Sequence, residues 1–269
     1  MPPRIAGKRG LRPEHIAALL SAMSRRKAPV IPIRAVTTPD FLEHDTAYTW
    51  FPALKRPLTM LGNNTVGDCV IVMILNWIRI WCGANGIDYE PTTDEALAIY
   101  SAITGYNPNA PLAPDGQNPT DAGTDPLAAI EYARKTGFDG HFVRAWLQIE
   151  PHDINHICAA IQKLGGVGAA IILPEDAEAQ FEAGKPWTIS SYAALKNTVG
   201  GHGVYIGAFD KFGPVCATWA HEQPMSWNFL WGTGMTILAA VGDDFLRDGK
   251  APNGLNTQAI LAYMAKVAN

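Results

Sequence analysis

The stretch LGNNTVGDCVIVMILNW, Leu61 to Trp77, places the thiol of Cys69 behind a Gly-Asp pair and at the start of the most apolar helix-like run in the chain. Thiolate is the reactive form of cysteine, and the N-terminus of a helix stabilises it. Gly62 and Gly67 let the backbone approach a bound substrate closely. This setting is typical of a nucleophile, so Cys69 is the predicted attacking group.

A thiol nucleophile needs a general base and a group that stabilises the developing oxyanion. His202, in VGGHGVYIGAFD, opens an apolar strand behind two glycines that leave room around its imidazole, and it is the predicted base. The side-chain amide of Asn63 or Asn64, with the backbone N–H of Cys69, could form the oxyanion hole. These groups suffice for acyl transfer through a thioester, so we expect no cofactor.

A second motif, HDINH, carries histidines at positions 152 and 156. This spacing on one helix face is that of the H-E-x-x-H zinc motif, and it suggests a metal-dependent hydrolase as an alternative. The acidic residue, however, is Asp153, which is shorter than the glutamate of that motif and is typical of a helix N-cap. No third ligand is evident in the sequence, so we expect no metal site.

The composition describes a globular protein with a sizeable core, since 48% of the 269 residues are hydrophobic and 17% are charged. The longest apolar run, Val70 to Trp81, is too short to cross a membrane, and no secretion signal is evident at the N-terminus. We therefore expect a cytoplasmic or particle-associated protein with reduced cysteines. Three of the four cysteines lie in apolar patterns that predict core packing: Cys82, Cys158 and Cys216.

Charge is distributed unevenly along the chain. Residues 1–34 contain eight Lys and Arg and one acid, whereas the whole chain has a net charge of −4. We predict a basic N-terminal arm over residues 1–57, with one short helix in RPEHIAALLSAMSRR. The arm could be an inhibitory pro-segment, a docking arm for an assembly partner, or a solvated tail. The net negative charge disfavours nucleic acid binding by the protein as a whole, except through the basic arm.

Hydrophobic periodicity predicts helices first and strands later in residues 58–269, which favours an α+β fold. Helices are predicted over Cys69 to Ile87, in TTDEALAIYSAITG, DPLAAIEYARKTG and DINHICAAIQKLGG, and over residues 257–267. Strands are predicted in HFVRAWLQI, VGAAIIL, GVYIGAFD, PVCATWA, SWNFLW and GMTILAAV. The predicted domain has a helical half at about 58–140 and a β-rich half at about 141–245.

In their order along the chain, these blocks resemble the papain-like cysteine peptidases. GDCV resembles the helix that carries the family's nucleophile, GGHGVYIGAFD is similar to the strand with its catalytic histidine, and VCATWA resembles the next strand. His202 follows Cys69 by 133 residues, and that family places its histidine roughly 130 to 150 residues after the cysteine. The resemblance implies an antiparallel β half packed on the nucleophile helix.

The chain departs from this family at the residue that orients the histidine. The family's Asn-Ser-Trp-Gly motif is missing, and Ala217 or Thr218 stands at the position of its asparagine. Thr218 or Asp210 is therefore the predicted orienting residue. The resemblance implies a thiol peptidase or amide hydrolase acting on a peptide or protein. The alternative is a degenerate scaffold, such as a phage or particle component, that docks through its basic arm.

Overall fold

The computed structural model describes residues 4–8, 42–246 and 250–254. The predicted helix of the basic arm and the predicted C-terminal helix at 257–267 lie outside these residues. Within the described ranges, no helix is both long and apolar enough to cross a membrane.

A central buried helix, α1 (Cys69–Ala84), dominates the helical half. Every residue from Cys69 to Gly83 is buried, including Asn76 and Arg79. A helix that is apolar on nearly all sides needs partners on all sides, which explains why both halves of the protein pack around α1. The helix ends at Ala84, three residues before the predicted end.

Two further helices complete this half, α2 (Thr93–Thr104) and α3 (Pro126–Lys135). Helix α2 begins with a capping box between Thr92 and Glu95 and ends at Gly105, which has a left-handed backbone with φ 76°. Helix α3 has proline in its first turn and is capped by the Asp125 side chain. The local capping signals therefore placed both helices correctly.

The β half is an antiparallel sheet in the order β2-β7-β3-β4-β5-β6, with β1 paired separately to β4. The strands are β1 (Tyr48–Thr49), β2 (Val143–Ile149), β3 (Val167–Pro174), β4 (Thr198–Phe209), β5 (Pro214–Thr218), β6 (His221–Pro224) and β7 (Gly234–Gly242). Helix α4 (Ile154–Leu164) connects β2 to β3. The predicted α+β fold, with a helical half packed on an antiparallel β half, is confirmed.

Strand β4 lies directly against the start of α1. A Cβ atom added at Gly203 would lie only 2.9 Å from Val70 Cγ2 and 3.0 Å from Val70 Cα, so this approach requires glycine. Because Gly203 and Val70 each adjoin a predicted catalytic residue, the contact brings Cys69 and His202 to one junction between the two halves.

One predicted strand is wrong. SWNFLW forms helix α7 (Trp227–Thr233), which begins where the Ser226 side chain accepts a hydrogen bond from the Phe229 N–H. An N-cap serine fixes a helix start locally, and this capping signal outweighed the β propensity of the aromatic residues. Sequence patterns also missed two short helices, α5 (Ala177–Glu182) and α6 (Tyr192–Lys196), and strand β6.

Part of the predicted arm is built into the fold. Tyr48 and Thr49 pair with Phe209 and Ala208 of β4. Trp50 is buried and donates its indole N–H to the Ile161 carbonyl at 2.7 Å. A short 3-10 helix, Phe51–Ala53, follows. These residues contribute to the core, although the sequence places them within the predicted arm.

Candidate functional site

Cys69 is the first residue of α1, and its side chain points toward strand β4. The backbone N–H of Gly203 donates a hydrogen bond to Cys69 Sγ at 3.1 Å. The neighbouring His202 is only 3% exposed and Cys69 only 2%, so both groups are held in a shielded junction. The structure thus brings together the predicted nucleophile and the predicted base.

Thr218 fixes the imidazole of His202. His202 Nε2 lies 2.7 Å from Thr218 Oγ1, and both side chains are buried. The indole ring of Trp219 covers the imidazole, with 4.7 Å between ring centroids. Trp219 and Ala220 form the two-residue turn between β5 and β6 with φ of 45° and 61°, left-handed values that cost free energy in residues other than glycine.

The second predicted orienting residue, Asp210, lies elsewhere. It follows β4, eight residues beyond His202, which corresponds to roughly 25 Å along a strand. Its carboxylate accepts hydrogen bonds from the N–H groups of Phe212 and Gly213 and closes the turn into β5. Of the two predicted orienting residues, Thr218 therefore contacts His202, whereas Asp210 stabilises a distant turn.

The two predicted oxyanion donors also differ in position. Asn64 is exposed to solvent, whereas Asn63 is 2% exposed and precedes α1 in the same loop as Gly67. Asn63 Nδ2 donates to the Val66 carbonyl at 3.2 Å and to the Lys8 carbonyl at 2.9 Å. The buried amide therefore already holds a carbonyl oxygen that belongs to the N-terminal segment.

Residues 4–8 connect the two halves of the molecule beside this junction. The Arg4 guanidinium donates to Gln223 Oε1 at 3.0 Å and lies over the Phe181 ring. Gly7 packs so closely between the two halves that an added Cβ would be 2.4 Å from both Trp219 Cδ1 and the Asn63 carbonyl oxygen. The segment thus covers the ring that shields His202.

Asp121 supports the loop that leads into α1. Its carboxylate accepts hydrogen bonds from the Gly67 N–H at 2.9 Å and from the Tyr100 hydroxyl at 2.7 Å. The ammonium of Lys8 forms an ion pair with the same carboxylate. One buried acid therefore positions both the loop before Cys69 and the N-terminal segment.

A second buried carboxyl directly precedes the thiol. Asp68 has no exposed surface, and burial raises the pKa of its carboxyl to about 8. The nearby Asn63 side chain acts in the opposite direction, although neither carboxyl oxygen of Asp68 has a hydrogen-bond partner among the described residues, and the charge of Asp121 adds to the increase. At neutral pH the pKa of Asp68 therefore favours the protonated, uncharged form.

A small apolar pocket lies next to Cys69 and His202, with free space for only about one water molecule. Strands β3 and β4, the loop before α3 and the start of β7 contribute to its walls. Its lining includes Val70, Pro126, Ala170, Ile171 and Met235. The walls beside the thiol are therefore apolar, but the space between them is too small for a large side chain.

Two solved structures match the backbone of this protein over most of its length. Xylellain, a cysteine protease from Xylella fastidiosa, matches with a TM-score of 0.61 over 90% of this chain and 98% of its own length. The chain has the papain-like fold. A recombinant stem bromelain precursor matches with a TM-score of 0.52 over 79% of this chain and 74% of its own. Sequence identities are 10% and 12%, and no protein-family model or curated sequence matches.

This papain-like chain contains a second thiol–imidazole pair, joined here by a carboxylate, and these residue types resemble those of a catalytic triad. His141 Nδ1 lies 2.8 Å from Asp244 Oδ2 and 3.8 Å from Cys82 Sγ. Cys82 has no exposed surface, and burial, together with the Asp244 carboxylate, raises the pKa of its thiol to about 12. Cys82 is therefore poorly suited to attack as a thiolate near neutral pH.

The predicted alternative at HDINH has a different arrangement in the structure. Helix α4 begins at Ile154 with Asp153 as its N-cap, so His152 lies outside the helix and does not share a helical face with His156. His156 is buried and its Nδ1 lies 2.6 Å from the Asp153 carboxylate. Among the described residues, these histidines belong to no group of three potential metal ligands.

The sequence indicated some of these features and missed others. The local motifs and their order along the chain predicted Cys69, His202 and Thr218 as site residues. Asp68 also appeared there, as the residue directly before the thiol. Asp121 gave no signal, because it lies in a loop rich in proline, glycine and asparagine, more than 50 residues from the Gly67 that it supports. Residues 4–8 carried only a charge signal, which cannot specify a docking position.

Proposed function

We propose that the protein is a papain-like cysteine peptidase or a related amide hydrolase, with Cys69 as the nucleophile and His202 as the general base. The observation that supports this most strongly is the junction of α1 with β4. There, Cys69 starts the helix, receives the Gly203 N–H, and adjoins a histidine whose far nitrogen contacts Thr218. The catalytic roles of these residues remain predictions.

The position of each thiol on α1 supports Cys69 over Cys82. Cys69 begins the helix, where unpaired N–H groups and the helix dipole favour an anion. Cys82 lies in the last turn, at the negative end, and faces the Asp244 carboxylate. The same helix therefore favours the thiolate at one end and disfavours it at the other.

The geometry supports a reaction in two acyl-transfer steps. Thr218 engages His202 Nε2, so Nδ1 is the nitrogen that would take the proton of Cys69. The sulfur would attack the substrate carbonyl carbon, and the Cys69 N–H and Asn63 Nδ2 would stabilise the oxyanion. Imidazolium would protonate the leaving amine. Water, deprotonated by His202, would then hydrolyse the thioester and restore the thiol.

A peptide or protein is the substrate class that this arrangement suits. The small pocket beside Cys69 would suit a small apolar group next to the cleaved bond, because its lining offers few polar partners. We therefore expect hydrolysis to favour peptides with a small apolar residue such as alanine at one subsite over peptides with a charged residue there.

Of the three roles considered for the N-terminal arm, the contacts of residues 4–8 favour the inhibitory pro-segment. Asn63, the proposed oxyanion donor, holds the Lys8 carbonyl, and Gly7 covers Trp219. A substrate would have to displace this segment before its own carbonyl could bind to Asn63. One of the matching structures is likewise of a precursor.

Cysteine alkylation tests the proposal directly. Each thiol would be alkylated with iodoacetamide from pH 5 to 9, with mass spectrometry assigning the sites, in the native protein and in His202→Ala. We expect Cys69 to react fastest at low pH and to lose this advantage in His202→Ala, since the imidazolium stabilises the thiolate. Asp210→Asn is the matched control and should leave the rate unchanged.

A Cys69 that stays ordinary or inert both in the native protein and in Gly7→Ala, which loosens the covering segment, would instead favour the alternative function. The protein would then be a degenerate papain-like scaffold, and its basic arm would be the surface to study for assembly partners. The replacement of the family's orienting asparagine by Thr218 is the feature of this chain that favours that alternative.

A further inference from the structure

The cluster of Cys82, His141 and Asp244 joins three separate segments of the fold. Cys82 is in the last turn of α1, His141 closes the turn that it forms with Phe138, and Asp244 follows strand β7. The Asn85 side chain donates to the Asp244 carbonyl at 2.6 Å and holds the last of these segments near the helix. The cluster therefore lies at the C-terminal end of α1, whereas Cys69 lies at its start.

The arrangement of the imidazole distinguishes this cluster from a proton relay. In a relay, the base uses one ring nitrogen for the nucleophile and the other for the orienting group. Here the same atom, His141 Nδ1, faces both Asp244 Oδ2 at 2.8 Å and Cys82 Sγ at 3.8 Å. The three atoms lie within 4.8 Å of one another, so they converge on a single point.

Convergence on one point is what a metal ion requires. Zinc binds thiolate sulfur at about 2.3 Å and imidazole nitrogen or carboxylate oxygen at about 2.0 to 2.2 Å, which places tetrahedral ligand atoms roughly 3.3 to 3.6 Å apart. The distances at His141 Nδ1 bracket this range. A small shift of side chains would bring all three atoms to coordinating distance.

The surroundings also suit a metal site. Cys82 is fully buried and the other two side chains are largely buried, with exposed fractions of 19% for His141 and 16% for Asp244. The Tyr89 ring packs on His141 at 4.0 Å between centroids. Its hydroxyl is buried without a hydrogen-bond partner among the described residues. Water on a bound metal could satisfy such a group.

We propose that Cys82 Sγ, His141 Nδ1 and Asp244 Oδ2 form a binding site for zinc or a similar divalent transition metal. Sulfur, nitrogen and oxygen ligands together suit zinc and cobalt and disfavour magnesium and calcium, which prefer oxygen alone. The metal would link the end of α1 to the turn before β2 and to the segment after β7. The metal would take no part in the proposed peptidase reaction, because the proposed nucleophile lies at the opposite end of the helix.

Cobalt(II) titration of the full chain tests this proposal, since cobalt replaces zinc and thiolate–cobalt bonding produces a charge-transfer absorption. The titration would use a Cys69→Ala background, so that the Cys69–His202 pair cannot supply the signal. We expect saturable absorption in this protein and in its Cys158→Ser derivative, which removes another buried thiol. Cys82→Ser should abolish the absorption, and Asp244→Asn should weaken cobalt binding at least about tenfold.

Thermal unfolding with and without zinc provides a readout that does not depend on the thiolate absorption. Zinc should raise the Tm of the Cys69→Ala protein, and Asp244→Asn should lose most of that increase. Absence of the charge-transfer absorption, or equal cobalt binding after Cys82→Ser, would overturn the proposal. Since Cys69→Ala removes the proposed nucleophile, none of these outcomes depends on peptidase activity.

Discussion

Two thiol–imidazole pairs lie at opposite ends of one buried helix, and they differ in almost every property that governs reactivity. Cys69 and Cys82 are 13 residues apart in α1, which corresponds to roughly 20 Å. At the first thiol, the histidine is fixed through its far nitrogen by Thr218. At the second, one nitrogen of His141 faces both the thiol and a carboxylate.

Residue types alone therefore do not distinguish a nucleophile from a ligand. The cluster at Cys82 has the triad's thiol, imidazole and carboxylate, yet the carboxylate lies near the sulfur and helps to raise the thiol pKa to about 12. The Cys69 site has a threonine hydroxyl in place of the carboxylate, and that hydroxyl contacts only the far nitrogen of the imidazole, Nε2. Geometry and helix polarity decide the chemistry.

The largest expected effect is the difference in peptide hydrolysis between variants that lack one or the other of the two thiols. Cys69→Ala should reduce hydrolysis of a fluorogenic peptide by about 10⁴-fold or more, because it removes the attacking atom. Cys82→Ala should keep the rate within a few-fold of the native protein, with thermal unfolding measured to show that it folds. Loss of activity in Cys82→Ala but not in Cys69→Ala would instead identify Cys82 as the nucleophile.

The next effect concerns the group that orients each histidine. Thr218→Val keeps the shape of the side chain but removes the hydroxyl that contacts His202 Nε2. We expect kcat to fall about 10- to 100-fold with little change in KM. Thr218→Ser restores the hydroxyl and should recover most of the rate. A Thr218→Val enzyme with native kcat would show that the contact does not orient the base.

A smaller effect is expected from loosening the N-terminal segment, which should increase the access of a reagent to Cys69 but not to Cys82. Gly7→Ala introduces a Cβ where Trp219 and Asn63 leave no space. Overpacking of this kind costs about 1 kcal/mol or more, so the alkylation rate of Cys69 should rise about fivefold or more. The alkylation rate of Cys82 in the same sample is the internal control and should not change. Equal rates for Cys69 before and after the substitution would contradict a covering role.

The smallest effect concerns the acid beside the first thiol. Folded Asp68 keeps its proton until about pH 8, whereas the unfolded chain loses it near the ordinary value of 3.8. The unfolded state is therefore favoured increasingly as pH rises from about 4 to about 8, and this cost is absent at lower pH.

Asp68→Asn removes that titration while keeping the side-chain shape. The variant should be more stable than the native protein by about 1 to 3 kcal/mol at pH 8, and the difference should shrink toward pH 5. Denaturant unfolding at the two pH values measures this. A stability difference that stays constant with pH would show that Asp68 ionises normally in the folded protein.

Local signals predicted most of the fold correctly. Helix α2 follows from its capping box and Gly105, and α3 from its capping aspartate and first-turn proline. The prediction failed in SWNFLW, where the aromatic residues favoured a strand but the N-cap Ser226 starts a helix. It also failed for Tyr48 to Ala53, because a two-residue strand has no detectable period.

The sequence by itself determined the positions that depend on near neighbours: the start of α1 at Cys69, the strand around His202, and the antiparallel α+β order. Only the tertiary structure decided which groups meet. Thr218 is 16 residues from His202, Lys8 is 55 residues from Asn63, and Asp244 is 103 residues from His141. Such contacts depend on the packing of both halves around one apolar helix, which no local pattern specifies.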